Sequence, residues 1–151
     1  GDAPRQWKVA YAAGTLRAVA KNKGAEAARE EIRTAGKAAK LVLVAEKARL
    51  PNDFDDVCYV RAMVTDENGV VNPNAVATVK FAVSGPGAVI ATDNGDVASH
   101  EAFQSPERST WQGTCVAIVR ATADSGKITL TASADGLANG TVSIDAATPA
   151  R

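Results

Sequence analysis

Apolar residues recur at every second position through most of the chain beyond residue 55, in short runs separated by Gly, Asn, Asp and Pro. In residues 57–65, for example, Arg61 takes one face, and Cys58, Val60 and Val64 share the other. A period of two is typical of β-strands that bury one face, and the separating residues favour turns. The pattern therefore restricts most of the chain to a fold of short strands and turns.

Seven short strands are predicted by this pattern. They cover residues 39–45, 57–65, 79–84, 88–91, 115–120, 127–133 and 141–145. No helical period interrupts them, which disfavours a parallel α/β sheet. We predict an all-β fold, an immunoglobulin-like β-sandwich of about seven strands. The polar stretch 93–109 predicts a long loop.

The first forty residues favour two interpretations equally. Residues 25–40 are rich in Ala, Glu, Arg and Lys, and the spacing of Ala25, Ala28 and Ile32 favours an amphipathic helix. Residues 15–20 instead alternate, and the segment 22–24 (NKG) is typical of a hairpin turn whose return strand would be residues 26–33. The residues alone do not decide between helix and hairpin.

Composition and charge exclude several classes of function. With 151 residues, 46% of them hydrophobic and 23% charged, the chain can form one domain, or one domain plus a piece of another. Its 17 Lys and Arg balance 17 Asp and Glu, and the basic residues are scattered, so nucleic acid is not an expected partner. No apolar run approaches the roughly 18 residues of a membrane helix, so we expect no membrane span.

The chain offers few residues for metal or redox chemistry. Cys58 and Cys115 are too few for a structural zinc site and lie on the predicted buried faces of neighbouring strands. An oxidising compartment would permit a disulfide, but buried free thiols are more common at such positions. Around the lone His100, the polar residues of 93–101 suit calcium, although short polar side chains in loops more often bond their own backbone. We expect no metal and no cofactor.

Two aromatic residues lie at the predicted long loop, Phe103 within it and Trp111 just after it. Exposed aromatic rings form the platforms on which sugars stack, so these two are the candidate ligand contacts. The alternative, which we favour, is that both rings pin the loop onto the sandwich.

Several segments in a fixed order carry a resemblance to a known domain family. They are residues 66–69 (DENG), 79–87 (VKFAVSGPG), 93–96 (DNGD), 99–103 (SHEAF), 111–113 (WQG) and 126–132 (GKITLTA). Together they resemble the C-terminal immunoglobulin-like domain of bacterial β-galactosidases of glycoside hydrolase family two. Upstream, residues 7–11 (WKVAY), 14–18 (GTLRA) and 34–36 (TAG) resemble the closing half of the immunoglobulin-like domain that precedes it in those enzymes.

The resemblance implies a division of the chain into three parts. Residues 1–38 would be the incomplete closing part of the upstream domain, 39–146 the C-terminal sandwich, and 147–151 a loose tail. It also favours the hairpin over the helix after Gly24. Because an incomplete sandwich exposes an edge, and exposed edges recruit partners, we expect the first part to pack on the complete domain, to pair with a second copy as a homodimer, or to be covered by upstream sequence.

The resemblance implies a function without catalysis. Enzymes of this family use paired glutamates on a barrel domain, and a barrel of roughly 250 residues does not fit in this chain. The chain would be an accessory region that supports or helps to assemble a parent β-galactosidase, with the parent's other domains as partners and the periplasm or cell surface as its compartment. No catalytic residue is expected among its glutamates, which are Glu26, Glu30, Glu31, Glu46, Glu67, Glu101 and Glu107.

Two alternatives from other classes stay open. A carbohydrate-binding module would bind galactosides or polysaccharides, with Trp111 as a contact. A cell-surface spacer or adhesin would repeat an immunoglobulin-like unit, and no repeat is visible in these residues. The first residues show neither an initiator Met nor a signal-peptide pattern, so we expect the chain to have been cut from a longer protein.

Overall fold

The computed structural model describes residues 6–149, and within that range every regular element is a β-strand. The predictions for the first five residues and for the last two residues of the tail lie outside this range. The chain divides into two compact units, Gly1–Thr34 and Ala35–Arg151. No helix in the described range is long and apolar enough to cross a membrane.

The first unit contains an antiparallel hairpin of β1 (Thr15–Asn22) and β2 (Ala25–Arg33). Lys23 and Gly24 join the strands with φ angles of 50° and 86°. A two-residue turn with positive φ at both positions matches the twist of paired strands. This turn explains why residues of high helix propensity form a strand here, so the hairpin interpretation is confirmed and the helix is wrong.

The two faces of the hairpin differ in polarity. Leu16 lies opposite Ile32 on the more apolar face, where these side chains are 54% and 65% exposed and Ala18 and Glu30 form the next pair. Arg17 lies opposite Glu31 on the other, where Arg17 and Arg33 both form ion pairs with Glu31. A two-stranded hairpin is at best marginally stable alone in water. This unit therefore needs further packing against its exposed apolar face to be stable.

The second unit is a sandwich of two sheets. Its strands are β3 (Lys40–Ala45), β4 (Arg49–Pro51), β5 (Cys58–Thr65), β6 (Thr78–Ser84), β7 (Gly87–Asp93), β8 (Glu107–Ser109), β9 (Thr114–Ala121), β10 (Gly126–Ser133) and β11 (Gly140–Ala147). One sheet has the order β4-β11-β10-β6-β8, and the other has the order β3-β5-β9-β7. All pairs are antiparallel except β4 with β11. The predicted all-β, immunoglobulin-like sandwich is confirmed.

Alternate residues of both sheets meet in one core. Val60, Val119, Leu130 and Ile144 are each at most 1% exposed. Burying a side chain of this size stabilises a fold by about 1.5–3 kcal/mol. The predicted alternation assigns the correct inward face to β5, β9 and β10.

Three local features differ from the predictions. The sequence pattern does not predict β4 or β8, because three residues are too few to show a period. β8 occupies the end of the predicted long loop. Ala147, predicted to begin a loose tail, is instead the last residue of β11, where it lies opposite Pro51 and is 3% exposed.

The turn after β5 is organised by one buried carboxylate. Asp66 Oδ2 accepts a hydrogen bond from the Gly36 N–H, and Oδ1 accepts bonds from the N–H groups of Asn68 and Val70, all at 2.9 Å. The hydrogen bonds from Gly36 and then Val70 hold the pKa of Asp66 below its ordinary value, against the opposing effect of burial. Asp66 therefore stabilises the turn in its ionised form.

The sign of the pH dependence follows from this depressed pKa. At pH values between the folded-state and the unfolded-state pKa of Asp66, the unfolded state binds more protons. The contribution of Asp66 to stability is therefore present above about pH 4 and is lost as the pH falls through its folded-state pKa. We expect Asp66→Asn to be less stable than wild type at about pH 6, and the gap to close on acidification. Urea unfolding at a series of pH values measures it. Asp135→Asn, at an exposed turn, is the control. A gap that stays constant with pH would contradict the assignment.

Candidate functional site

The loop between β7 and β8 is held by a buried arginine. Arg108 is 1% exposed. Its Nε donates to Thr92 Oγ1 at 3.2 Å, and its Nη2 donates to the carbonyl oxygens of Thr92 at 2.8 Å and Ala102 at 2.9 Å. Its Nη1 donates to the Glu101 carbonyl at 3.2 Å. The planar guanidinium thus fastens both ends of the loop to the edge of the sandwich.

The carboxylate of Glu101 completes this network. It accepts hydrogen bonds from the Ser109 N–H and hydroxyl, both at 3.0 Å, and from the Ser99 hydroxyl at 3.2 Å. It also lies 3.5 Å from Arg108 Nη1. Burial raises the pKa of Glu101, but the bonds from Ser109 and Ser99 and the charge of Arg108 outweigh it, so the pKa is lowered. Glu101 is therefore an ionised acceptor.

Three further glutamates form ion pairs with nearby cations. The pKa of Glu31 is lowered, chiefly by the hydrogen bond from Arg33. Glu26 pairs with Arg29, and Glu107 pairs with Lys80. The general acid of a glycosidase needs a raised pKa. The shifts of Glu31, Asp66 and Glu101 are all in the opposite direction.

Short polar side chains around His100 accept hydrogen bonds from backbone N–H groups of nearby residues in the loop. Asp93 Oδ1 accepts from the N–H groups of Asn94 and Gly95, and Asp96 Oδ1 accepts from the Ala98 N–H. These are the turns that the sequence favours over calcium. Within residues 6–149, no group of three His, Cys, Asp or Glu side chains could hold a metal ion.

The two candidate ligand contacts have different surroundings. Phe103 is 58% exposed, and the Arg108 guanidinium lies 5.6 Å from its ring centroid. Trp111 is 44% exposed and begins a tight turn closed by two backbone hydrogen bonds with Thr114. The cation–π contact supports a role for Phe103 in holding the loop. Ligand contact by Phe103 and Trp111 stays a prediction.

The two cysteines lie in neighbouring strands but do not face each other. Cys58 is opposite Val119, and Cys115 is opposite Ala62. The offset of four residues separates them by about 13 Å along the ladder, beyond the reach of a disulfide. Both thiols are free and buried, and desolvation raises the pKa of Cys115 to about 12. They serve as core residues.

The outward residues of β3, β5 and β9 form a largely apolar surface, hereafter the outer face. Its middle consists of Val42, Val44, Tyr59, Arg61, Met63, Val116 and Ile118, and the polar outward residues Lys40, Thr114 and Arg120 lie near the strand ends. A groove of about 460 Å³ in it is lined by Val44, Glu46, Tyr59, Arg61, Met63 and Val116. The alternation of apolar residues predicts only the inward face of each strand and does not predict this surface. Residues 41–44 (LVLV) and 115–119 (CVAIV) nevertheless indicate it, because consecutive apolar positions are typical of strands covered on both faces.

The opposite sheet has the polar exterior expected of a solvated face. Its outward residues include Lys80, Thr129, Thr131, Ser133, Thr141, Ser143 and Asp145. The sandwich is therefore asymmetric, with a polar exterior on one sheet and an apolar exterior on the other.

Comparisons with known proteins agree with this architecture. The family model "Glycoside hydrolase family 2 C-terminal domain 5" matches residues 41–143. The beta-galactosidase BoGH2A of Bacteroides ovatus is 35% identical over 140 residues, which are 93% of this chain and 16% of that protein. The chain thus spans about a sixth of the curated relative that it matches.

Solved structures give the same relation. A glycosyl hydrolase family 2 member from Bacteroides cellulosilyticus superposes with a TM-score of 0.83 at 32% identity, over 93% of this chain and 18% of that one. A beta-glycosidase from Bacteroides vulgatus superposes with a TM-score of 0.85 at 28% identity, over 92% and 18%.

Proposed function

The chain belongs to the glycoside hydrolase family 2 C-terminal domain 5 family, and from this premise we propose that it is a non-catalytic accessory region of a longer β-galactosidase-type enzyme. Its role is to pack against the parent's other domains and to stabilise them. The observation that carries the proposal is that the chain contains a sandwich with its own core, and that the matched region is 93% of this chain but only 16–18% of relatives that are glycosidases.

The hairpin unit fits the same proposal. Its apolar face carries the exposed Leu16 and Ile32, and a two-stranded hairpin needs further packing for stability. We propose that residues 1–38 close a preceding immunoglobulin-like domain, whose remaining strands lie upstream in the parent enzyme. In that arrangement the apolar face is covered by the upstream strands.

A deletion in the full-length parent enzyme tests the accessory role. Removal of residues 35–151 of this chain should leave a catalytic body that still cleaves a chromogenic galactoside but melts about 2–8 °C lower, the shift expected for a loss of about 1–2 kcal/mol in a large domain. The 151-residue chain alone should hydrolyse nothing. Hydrolysis by that chain, or an unchanged melting temperature after the deletion, would overturn the proposal.

A further inference from the structure

We propose that the outer face docks onto another domain of the same polypeptide, and that Arg61 there pairs with a carboxylate at the centre of an otherwise apolar contact. This inference rests on the proposed function and names the surface through which it acts. The occupant is a folded protein surface with apolar side chains around one acidic group.

The two exteriors of the sandwich differ in polarity. The outward positions of β10 and β11 carry mainly Thr and Ser, whereas those in the middle of β3, β5 and β9 carry Val, Tyr, Met and Ile around Arg61. Because both sheets belong to the same sandwich, the fold itself does not require an apolar exterior on either of them. Contiguous apolar surface on a soluble protein marks an interaction site.

Arg61 lies among mostly apolar side chains on the outer face. It lies opposite Val44 on one side and opposite Val116 on the other, and Tyr59 and Met63 flank it on the same face of β5. Glu46 lines the same groove, but the described residues supply neither an ion pair nor a hydrogen bond to the exposed Arg61 side chain. An arginine surrounded by apolar side chains and a tyrosine is typical of the centre of a protein–protein interface.

The partner of the outer face is expected to carry an acidic group opposite Arg61. Lys40 Nζ donates to the Glu67 carbonyl, and the Arg120 guanidinium lies 5.5 Å from the ring centroid of Phe54, so both other cations on these strands are engaged. Covering Arg61 with apolar groups alone would bury an unpaired charge, which is costly. A carboxylate gives charge-assisted, bidentate hydrogen bonds instead. The surface therefore fits an acidic partner.

A second copy of this chain fits less well. Docking about a two-fold axis through the centre of the outer face would set Arg61 against its own symmetry mate. The outward charges of β3, β5 and β9 are Lys40, Arg61 and Arg120, against one carboxylate, Glu46, among the residues that line the groove, so two copies would bring together two surfaces of net positive charge. The relatives, by contrast, contain more than four-fifths of their length outside the matched region, so other domains are present to dock.

Thiol labelling in the full-length parent enzyme tests the inference. Val44→Cys places a reporter on the outer face, and Thr141→Cys places a matched one on the polar exterior; Cys58 and Cys115 are buried. Peptide mapping after maleimide treatment gives each rate. We expect Val44→Cys to react at least about tenfold more slowly than Thr141→Cys, as a docked site opens only transiently.

Reversal of the charge of Arg61 is the second part of this test. Arg61→Glu should raise the labelling rate of Val44→Cys to that of Thr141→Cys, whereas Arg49→Glu, an exposed arginine on the other sheet, should leave it unchanged. Equal rates for the two reporters in the unaltered background overturn the inference, as does protection that depends on enzyme concentration, which indicates a second copy. If the deletion of residues 35–151 lowers the melting temperature but Val44→Cys is unprotected, docking by this face fails and the accessory role stands. If the deletion has no effect, the accessory role itself fails.

Discussion

We expect Arg108→Ala to lower the free energy of unfolding of the chain by about 3 kcal/mol or more, because each buried acceptor that loses its donor costs about 1–3 kcal/mol. Arg108 is 1% exposed and donates to three carbonyl oxygens, from Thr92, Glu101 and Ala102. Without the guanidinium the carbonyl oxygens of Thr92 and Glu101 lose this donor, and that of Ala102 keeps only its hydrogen bond from the Ser105 N–H. The carboxylate of Glu101 loses its nearby positive charge at the same time.

Urea unfolding followed by circular dichroism measures the loss. Arg120→Ala is the matched control, because both guanidinium groups lie over a phenylalanine ring, at 5.6 Å for Arg108 and 5.5 Å for Arg120. Arg120 is only half-buried, so its replacement should cost about 1 kcal/mol or less. Similar small losses for both variants would show that the hydrogen bonds of Arg108 contribute little.

Strand positions were predictable wherever one face meets the core. The alternation in β5, β9 and β10 is a direct consequence of burying every second residue, so residues such as Val60 and Leu130 could be assigned from the sequence. The same rule fails at β4 and β8, which have three residues each. These short strands are held by pairing at the sheet edges, and pairing partners are distant in sequence.

The hairpin shows a different limit. Local propensity in residues 25–33 favours a helix, but the backbone at Lys23 and Gly24 enforces a reversal of direction. Side-chain preferences of a few tenths of a kcal/mol per residue are readily overridden by such context. The resemblance to known domains supplied what the residues alone did not.

The surface features were the least predictable. Burial of Arg108 is invisible in the sequence, since arginine in a polar stretch is ordinarily exposed. The outer face shows in the consecutive apolar residues 41–44, yet a periodicity argument counts only the half that faces the core. What covers a sheet from outside depends on residues beyond that sheet, and the pattern within a strand does not specify them.

Gly113→Ala is expected to have the second large effect on stability. Gly113 has a φ of +74°, in the turn that joins Trp111 to Thr114, and its carbonyl accepts a hydrogen bond from the Val64 N–H. A Cβ at this position would lie 2.2 Å from the carbonyl oxygen of Asn72, which is backbone and cannot rotate away. A left-handed conformation costs a non-glycine residue about 1–2 kcal/mol, and overpacking adds about 1–3 kcal/mol.

Gly136→Ala separates these two contributions. Gly136 has the same φ of +74°, but nothing lies within 4 Å of the position its Cβ would take. Gly136→Ala should therefore lose only the conformational cost of about 1–2 kcal/mol, and Gly113→Ala should lose more by the cost of displacing the chain at Asn72. Urea unfolding of both variants measures the difference. Equal losses of unfolding free energy would mean that the segment at Asn72 moves aside freely. The close approach between this turn and the chain after β5 would then not be needed to stabilise this part of the sandwich.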